Sequence, residues 1–196
     1  MTVLRRAITM PLVVGLMVLV LALGPLLLLG AGVIGLATRS SRPPRTVALA
    51  MAYAVIELRT LGQVLRGNRD CDQMIHDFLV SAHTAVRRFL DVEVVLEAGS
   101  VRPGTIPRDQ PLIVLSRHCG PGDSVLVSWL LAVQYQLRLR VVLKAMLRCE
   151  PLLDLAGEWG CLCFLGRGDR ARRQIRFQAE SLTKGQAMLL FPEAPK

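Results

Sequence analysis

Hydrophobic and polar positions divide the chain into an apolar leader, two helical runs, and a stretch where strands and helices alternate. No charged residue occurs from Ala7 to Thr38. At about 1.5 Å per residue this run would make a helix of roughly 48 Å, well beyond the ~30 Å of bilayer hydrocarbon. It is also too long for the apolar core of a secretory signal peptide. Gly24-Pro25 lies in its middle and can break or kink a helix. Two forms fit: one long, kinked span, or a re-entrant hairpin turning at Gly24-Pro25, each half too short to cross alone. Arg5 and Arg6 flank one side, and Arg39, Arg42 and Arg45 the other. Basic residues at both ends suit a hairpin with both feet in the cytoplasm, and a single span would keep its richer C-terminal side inside. Either form predicts a membrane protein, in the plasma membrane if bacterial, whose remaining chain faces the cytoplasm.

Ser40 to Pro44 reads as a breaker segment. Val47 to Leu65 is apolar over much of its surface but carries Glu57, Arg59 and Gln63, the pattern of an interfacial or core amphipathic helix. Gly67 to Asp70 interrupts it. Asp72 to Leu90 has Met74, Phe78, Ala82, Ala85 and Phe89 at helical spacing. His76 and His83 on this run read as structural or solvated residues. The period then changes. Val92–Leu96, Pro111–Leu115, Arg140–Leu143, Leu162–Leu165 and Ala187–Phe191 read as strands, with helices over Asp123–Leu137 and Asp169–Thr183. Alternating strands and helices predict an α/β fold with a mostly parallel sheet flanked by helices, preceded by the hydrophobic membrane segment. The expected division is residues 1–45 as membrane anchor, 46–90 as a helical, partly interfacial segment, and 91–196 as the α/β domain.

Composition narrows the function classes. Hydrophobic residues make up 52% of the 196 residues and mean hydropathy is +0.43, which excludes a disordered chain. A formal net charge of +9 and a pI near 10.2 point to an anionic partner: membrane surface, nucleic acid or phosphorylated substrate. Aromatic residues are only 5%, a poor supply of base-stacking platforms, so no nucleic-acid partner is expected. The five cysteines, at 71, 119, 149, 161 and 163, form neither a disulfide framework nor a zinc spacing, so reduced thiols and no metal are expected.

The candidate chemistry lies where strands end. Ser116 to Ser124 follows a short apolar strand and opens a helix, and in open α/β sheets ligands bind at the carboxyl ends of strands. Gly120, Pro121 and Gly122 make a tight turn that can return Asp123 to His118. A carboxylate on one imidazole nitrogen leaves the other as a general base, and the substrate would supply the hydroxyl. The competing reading makes Asp123 a helix cap and His118 a turn residue. A Cys119–His118 pair is poor geometry, because adjacent side chains in an extended segment point apart.

From about Val92 onward the chain resembles the glycerolipid acyltransferase family, which includes the 1-acylglycerol-3-phosphate acyltransferases. Three blocks carry the resemblance: the H-x-x-x-x-D run His118 to Asp123, the glycine–strand–arginine run Gly160 to Arg167, and Phe191-Pro192-Glu193-Ala194 in place of F-P-E-G. Their order and spacing also match. The resemblance implies that His118 takes the acceptor's hydroxyl proton, oriented by Asp123. Arg167 would bind the acceptor phosphate, and Glu193, with Phe191, Pro192 and Gly122, would position it. It implies acyl-CoA or acyl carrier protein as co-substrate, with no other cofactor, a glycerol phosphate-type acceptor such as lysophosphatidic acid, and membrane lipid as partner. It departs from the family at Ala194 and at Gly166, where an acidic residue often stands. The resemblance also implies further strands and a fourth, apolar block after Lys196, so the sequence reads as C-terminally incomplete. Two other classes fit the residues: a non-catalytic membrane-anchored binder of phospholipid or acyl carrier, and a hydrolase that uses His118 to activate water on a thioester or phosphoester. Arg170, Arg172, Arg173 and Arg176 read as a solvated helix face or as an attractor of anionic lipid or coenzyme A phosphates.

Overall fold

A computed structural model describes residues 2–117, 120, 122–166 and 168–192, with side chains from residue 5 onward. The chain forms two compact units: Met1–Asn68 with Ser81–Val95, and Arg69–Val80 with Leu96–Lys196.

The first unit contains α1 (Thr2–Ala22), α2 (Gly24–Ala37) and α3 (Arg42–Leu65). The helix does not reverse at Gly24-Pro25. Leu23 N–H donates to Leu19 O and Leu27 N–H to Leu23 O, both at 2.9 Å, so the hydrogen-bond ladder runs on with only a local turn at Leu23. Pro25 is tolerated there because the first turn of a helix needs no N–H at that position. The reversal comes at Thr38–Ser41, after which α3 runs back along the other two helices. Gly24 lies against Met51, and Gly35 lies against Ser40 O and Pro44, which fixes the antiparallel register. Buried Gly24, Ala31 and Gly35 on α2 form the small-residue stripe that lets two apolar helices approach closely. Glu57 is fully buried on α3, together with Ala54 and Thr60. Windows Arg5–Ala22 and Arg42–Leu65 are each long and apolar enough to cross a membrane, by length and composition alone.

Helix α4 (Cys71–Leu90) runs through both units. The segment Val92–Leu96, expected as a strand, is irregular, and Val95 is 75% exposed. Its apolar alternation has no paired strand beside it among the described residues, and alternation alone does not hold a strand.

The second unit is built on β1 (Leu112–Leu115), β2 (Arg138–Lys144), β3 (Leu162–Leu165) and β4 (Gln186–Leu190). All pairings are parallel, and the spatial order is β1-β4-β2-β3. The class is therefore α/β, as the alternation of periods predicted. Each strand's burial follows its place. Edge strand β1 alternates between half-buried and exposed residues, whereas Ala187, Met188 and Leu189 of central β4 are at most 1% exposed. That continuous apolar run is what a parallel strand covered on both faces requires. The turn before β4 depends on Gly185, whose φ of +73° is a left-handed conformation that suits glycine.

The crossovers are helical. Helix α5 (Asp123–Trp129) widens into a π-helical turn over Leu130–Gln134, so the expected helix to Leu137 stops short. After β2 comes a 3-10 turn (Ala145–Cys149) and α6 (Pro151–Glu158). Helix α6 went unread in the sequence, yet its start is written there. Glu150 accepts hydrogen bonds from Leu152 N–H at 3.0 Å and Leu153 N–H at 2.6 Å, and Pro151 sits at the first helical position. Helix α7 (Asp169–Glu180) lays Ile175 and Ala179 against a core of Val142, Cys163 and Met188.

The expectation of five reduced thiols is corrected at one pair. Cys71 at the start of α4 and Cys161 before β3 are disulfide-bonded, with Cα atoms 6.4 Å apart. Ninety residues separate them, so sequence spacing carried no trace of the pairing. Next to the bond, Arg140 Nη1 lies 2.7 Å from Asp72 Oδ1.

Candidate active site

In a parallel sheet all strands end on one edge. Here β1 ends at Leu115, β3 at Leu165 and β4 at Leu190; the first and third blocks follow the ends of β1 and β4, and the second contains β3 and runs past its end. Leu115 is in register with Leu190, and Ser116 N–H continues that ladder by donating to Leu190 O at 2.9 Å. The first and third blocks therefore leave adjacent strands side by side. The second block leaves β3, two positions from β4, or about 10 Å at ordinary strand spacing.

Of the predicted site residues, Gly122, Asp123, Phe191 and Pro192 are described, and His118, Arg167 and Glu193 lie outside the described residues. Cys119, Pro121 and Ala194 lie outside them too. Asp123 is the first residue of α5, but its side chain does not cap the helix. Gly122 occupies the cap position without a side-chain bond, and Asp123 Oδ2 instead accepts the Gly120 N–H at 2.6 Å. Gly120 O in turn accepts Asp123 N–H at 3.3 Å. The part-buried carboxylate thus ties Gly120 to the start of α5. Phe191 and Pro192 directly follow Leu190, the residue whose carbonyl accepts the Ser116 N–H.

The second block is closed from the helix side. Gly166 N–H donates to Gln174 Oε1 at 2.8 Å, and Gly168 turns the chain into α7 with a φ of +58°. A side chain on Gly166 would press on Arg170 and Gln174. The acidic residue that the family often carries here would crowd that bond.

The three blocks therefore share the carboxyl edge of the parallel strands, where open α/β sheets bind their ligands. Residues 100–195 match the family model described as Acyltransferase. This part of the chain is an acyltransferase-family domain. That family comprises the 1-acylglycerol-3-phosphate acyltransferases and related glycerolipid acyltransferases. No curated protein and no solved structure matches the chain.

Within the acyltransferase domain, the structure adds one cation to those singled out by motif. Lys144 is the last residue of β2, paired in register with Leu165, and so stands on the site edge between β4 and β3. Among the described residues no three His, Cys, Asp or Glu side chains converge on a possible metal position. A cavity of about 410 Å³ lies at the opposite edge, where β2 begins, lined by Asp70, Asp72, His76, Gln136 and Arg138. It is the wrong end of the sheet for the three blocks. Burial raises the pKa of the Cys163 thiol on β3, an effect that nearby Arg148 partly offsets.

Proposed function

We propose that this acyltransferase is a membrane-bound enzyme of phospholipid biosynthesis. It moves a fatty acyl group from acyl-CoA or acyl carrier protein to the free hydroxyl of a lysophosphatidic acid-like acceptor. The observation that carries the reading is the departure of all three blocks from one edge of one parallel sheet, two of them from neighbouring strands. In this mechanism His118 is the general base. It removes the hydroxyl proton as the oxygen attacks the thioester carbonyl, and it returns that proton to the departing thiolate. Asp123 holds the imidazole tautomer. Arg167 binds the acceptor phosphate, since a planar guanidinium matches two phosphate oxygens at once. Glu193, Phe191, Pro192 and Gly122 shape the acceptor's seat. A thioester is already activated, so a base and good positioning can carry the transfer without a covalent enzyme intermediate or a resident cofactor.

Membrane attachment is supported by the first unit. Leu12, Leu16, Leu26, Leu29, Val33 and Leu36 are more than half exposed on α1 and α2, where a bilayer would cover them. The arginines flanking that run support a cytoplasmic position for the acyltransferase domain in this reading.

Thiol release from acyl-CoA by the membrane-reconstituted protein, with and without lysophosphatidic acid, tests the reading. The expected result is release that depends on acceptor and falls about 10²–10⁴-fold in His118→Ala. Release without acceptor would mark a hydrolase. No release, with lipid still bound, would mark a binder. An unchanged rate in His118→Ala would refute the general base.

A further inference from the structure

Helix α7 has two faces of opposite character. Ile175 and Ala179 lie on the sheet, against Val142, Cys163 and Met188. The outer face carries Arg170, Arg172, Arg173, Arg176 and Phe177, all exposed, Phe177 being 70% exposed. Two acidic residues share this face. Arg172 lies 3.9 Å from Asp169 and Arg176 lies 2.8 Å from Glu180, all four side chains being well over half exposed. Exposed pairs of this kind are weak and exchange readily for another anion. The proposed transfer uses none of these five residues.

We infer that the outer face of α7 is a docking surface for anionic phospholipid headgroups. The arginines supply charge complementarity to lipid phosphates, and Phe177 supplies an aromatic wedge that settles at headgroup depth. An exposed aromatic ring on the same helix as four exposed arginines fits a layered partner, with phosphates outside and hydrocarbon beneath. An acidic carrier protein would satisfy the arginines but offers no such layering. Helix α7 starts directly after the second block, at the carboxyl edge of the sheet, so lipid lying along it meets the site edge. The inference needs no turnover and no particular acyl donor.

The test uses the full chain carrying Phe177→Trp, reconstituted in vesicles of brominated phosphatidylcholine with or without phosphatidylglycerol. The wild-type protein gives the background from Trp129 and Trp159. Bromine quenching of the new indole is expected only with phosphatidylglycerol, and it should fade at high salt. Adding Arg172→Gln, Arg173→Gln and Arg176→Gln removes three charges, which lowers the docked-to-undocked ratio by about a hundredfold. Equal emission with and without the anionic lipid would overturn the inference. So would an indole blind to lipid whose emission shifts when acyl carrier protein is added, because the face would then be a carrier site.

Discussion

Asp123 combines two roles that substitution can separate. Its Oδ2 accepts the Gly120 N–H at 2.6 Å, which ties Gly120 to the start of α5. In the proposed chemistry its charge also orients His118. An asparagine amide oxygen can accept the same N–H but carries no charge, whereas alanine loses both functions. A hydrogen bond to a charged group contributes about 1.5–3 kcal/mol and one to a neutral group about 0.5–1.5 kcal/mol. Asp123→Asn should therefore cost roughly 1 kcal/mol of domain stability and Asp123→Ala about 1.5–3 kcal/mol. Rate should follow a different order. Both variants lose the carboxylate, so both should fall toward the ~10²–10⁴-fold loss expected when a general base is disabled. Acceptor-dependent thiol release measures the rate, and protease resistance of the reconstituted protein reports that tie. Near-wild-type turnover in Asp123→Asn, with a loss only in Asp123→Ala, would show that Asp123 is a loop tie alone and would refute the dyad.

Four further outcomes are expected. Arg167→Ala and Lys144→Ala should each raise KM for the phosphorylated acceptor about ten- to a hundredfold, the worth of a charge-assisted contact, with less effect on acyl-CoA; equal weakening of donor and acceptor would contradict a phosphate role. Exposed Cys149 should be alkylated quickly while buried Cys163 resists, as shown by mass spectrometry of the intact protein. Because the folded Cys163 pKa is raised, its protonated thiol stabilises the fold below the ordinary thiol range, and that contribution is lost as pH rises through the folded pKa; thermal melts of Cys163→Ala should show a flatter alkaline limb. Glu150→Ala removes two cap bonds to α6 and should lower stability by about 0.5–2 kcal/mol in the same melts.

The parts of the fold legible in the sequence are those encoded by local periodicity. The strand Leu162–Leu165 has the bounds its apolar run predicts. Strand Val92–Leu96 failed because alternation cannot report whether a pairing edge exists. Helix α6 was missed because its eight residues offer too few turns for a period, and only its cap and proline announce it. The chain reverses at Thr38–Ser41, at the start of the Ser40–Pro44 breaker segment, and not at Gly24-Pro25, whose proline is tolerated at a helix start. The Cys71–Cys161 bond and the strand order depend on contacts between distant residues, which no local window contains. In the site, motif spacing identified the loops. It did not reveal that Asp123 bonds backward to Gly120, nor that Lys144 stands on the same edge.

The strand order also explains why site and core are assembled together. Strand β1 pairs only with β4, and β4 is flanked on its other side by β2. The first block therefore connects to the rest of the sheet through the strand that leads into the third. These partners are about 75 residues apart in sequence, whereas β2 and β3 pair across a short helical crossover. Long-range pairing carries the greater loop-closure cost, so β2–β3 can form early and β1 can join only once β4 is in place. Burial reinforces this order: β4 supplies the least exposed residues of the domain, Ala187, Met188 and Leu189. The strand that completes the hydrophobic core thus also brings the first and third blocks side by side. An incompletely folded domain would then lack the juxtaposed loops as well as the core, which keeps acyl transfer contingent on the finished sheet.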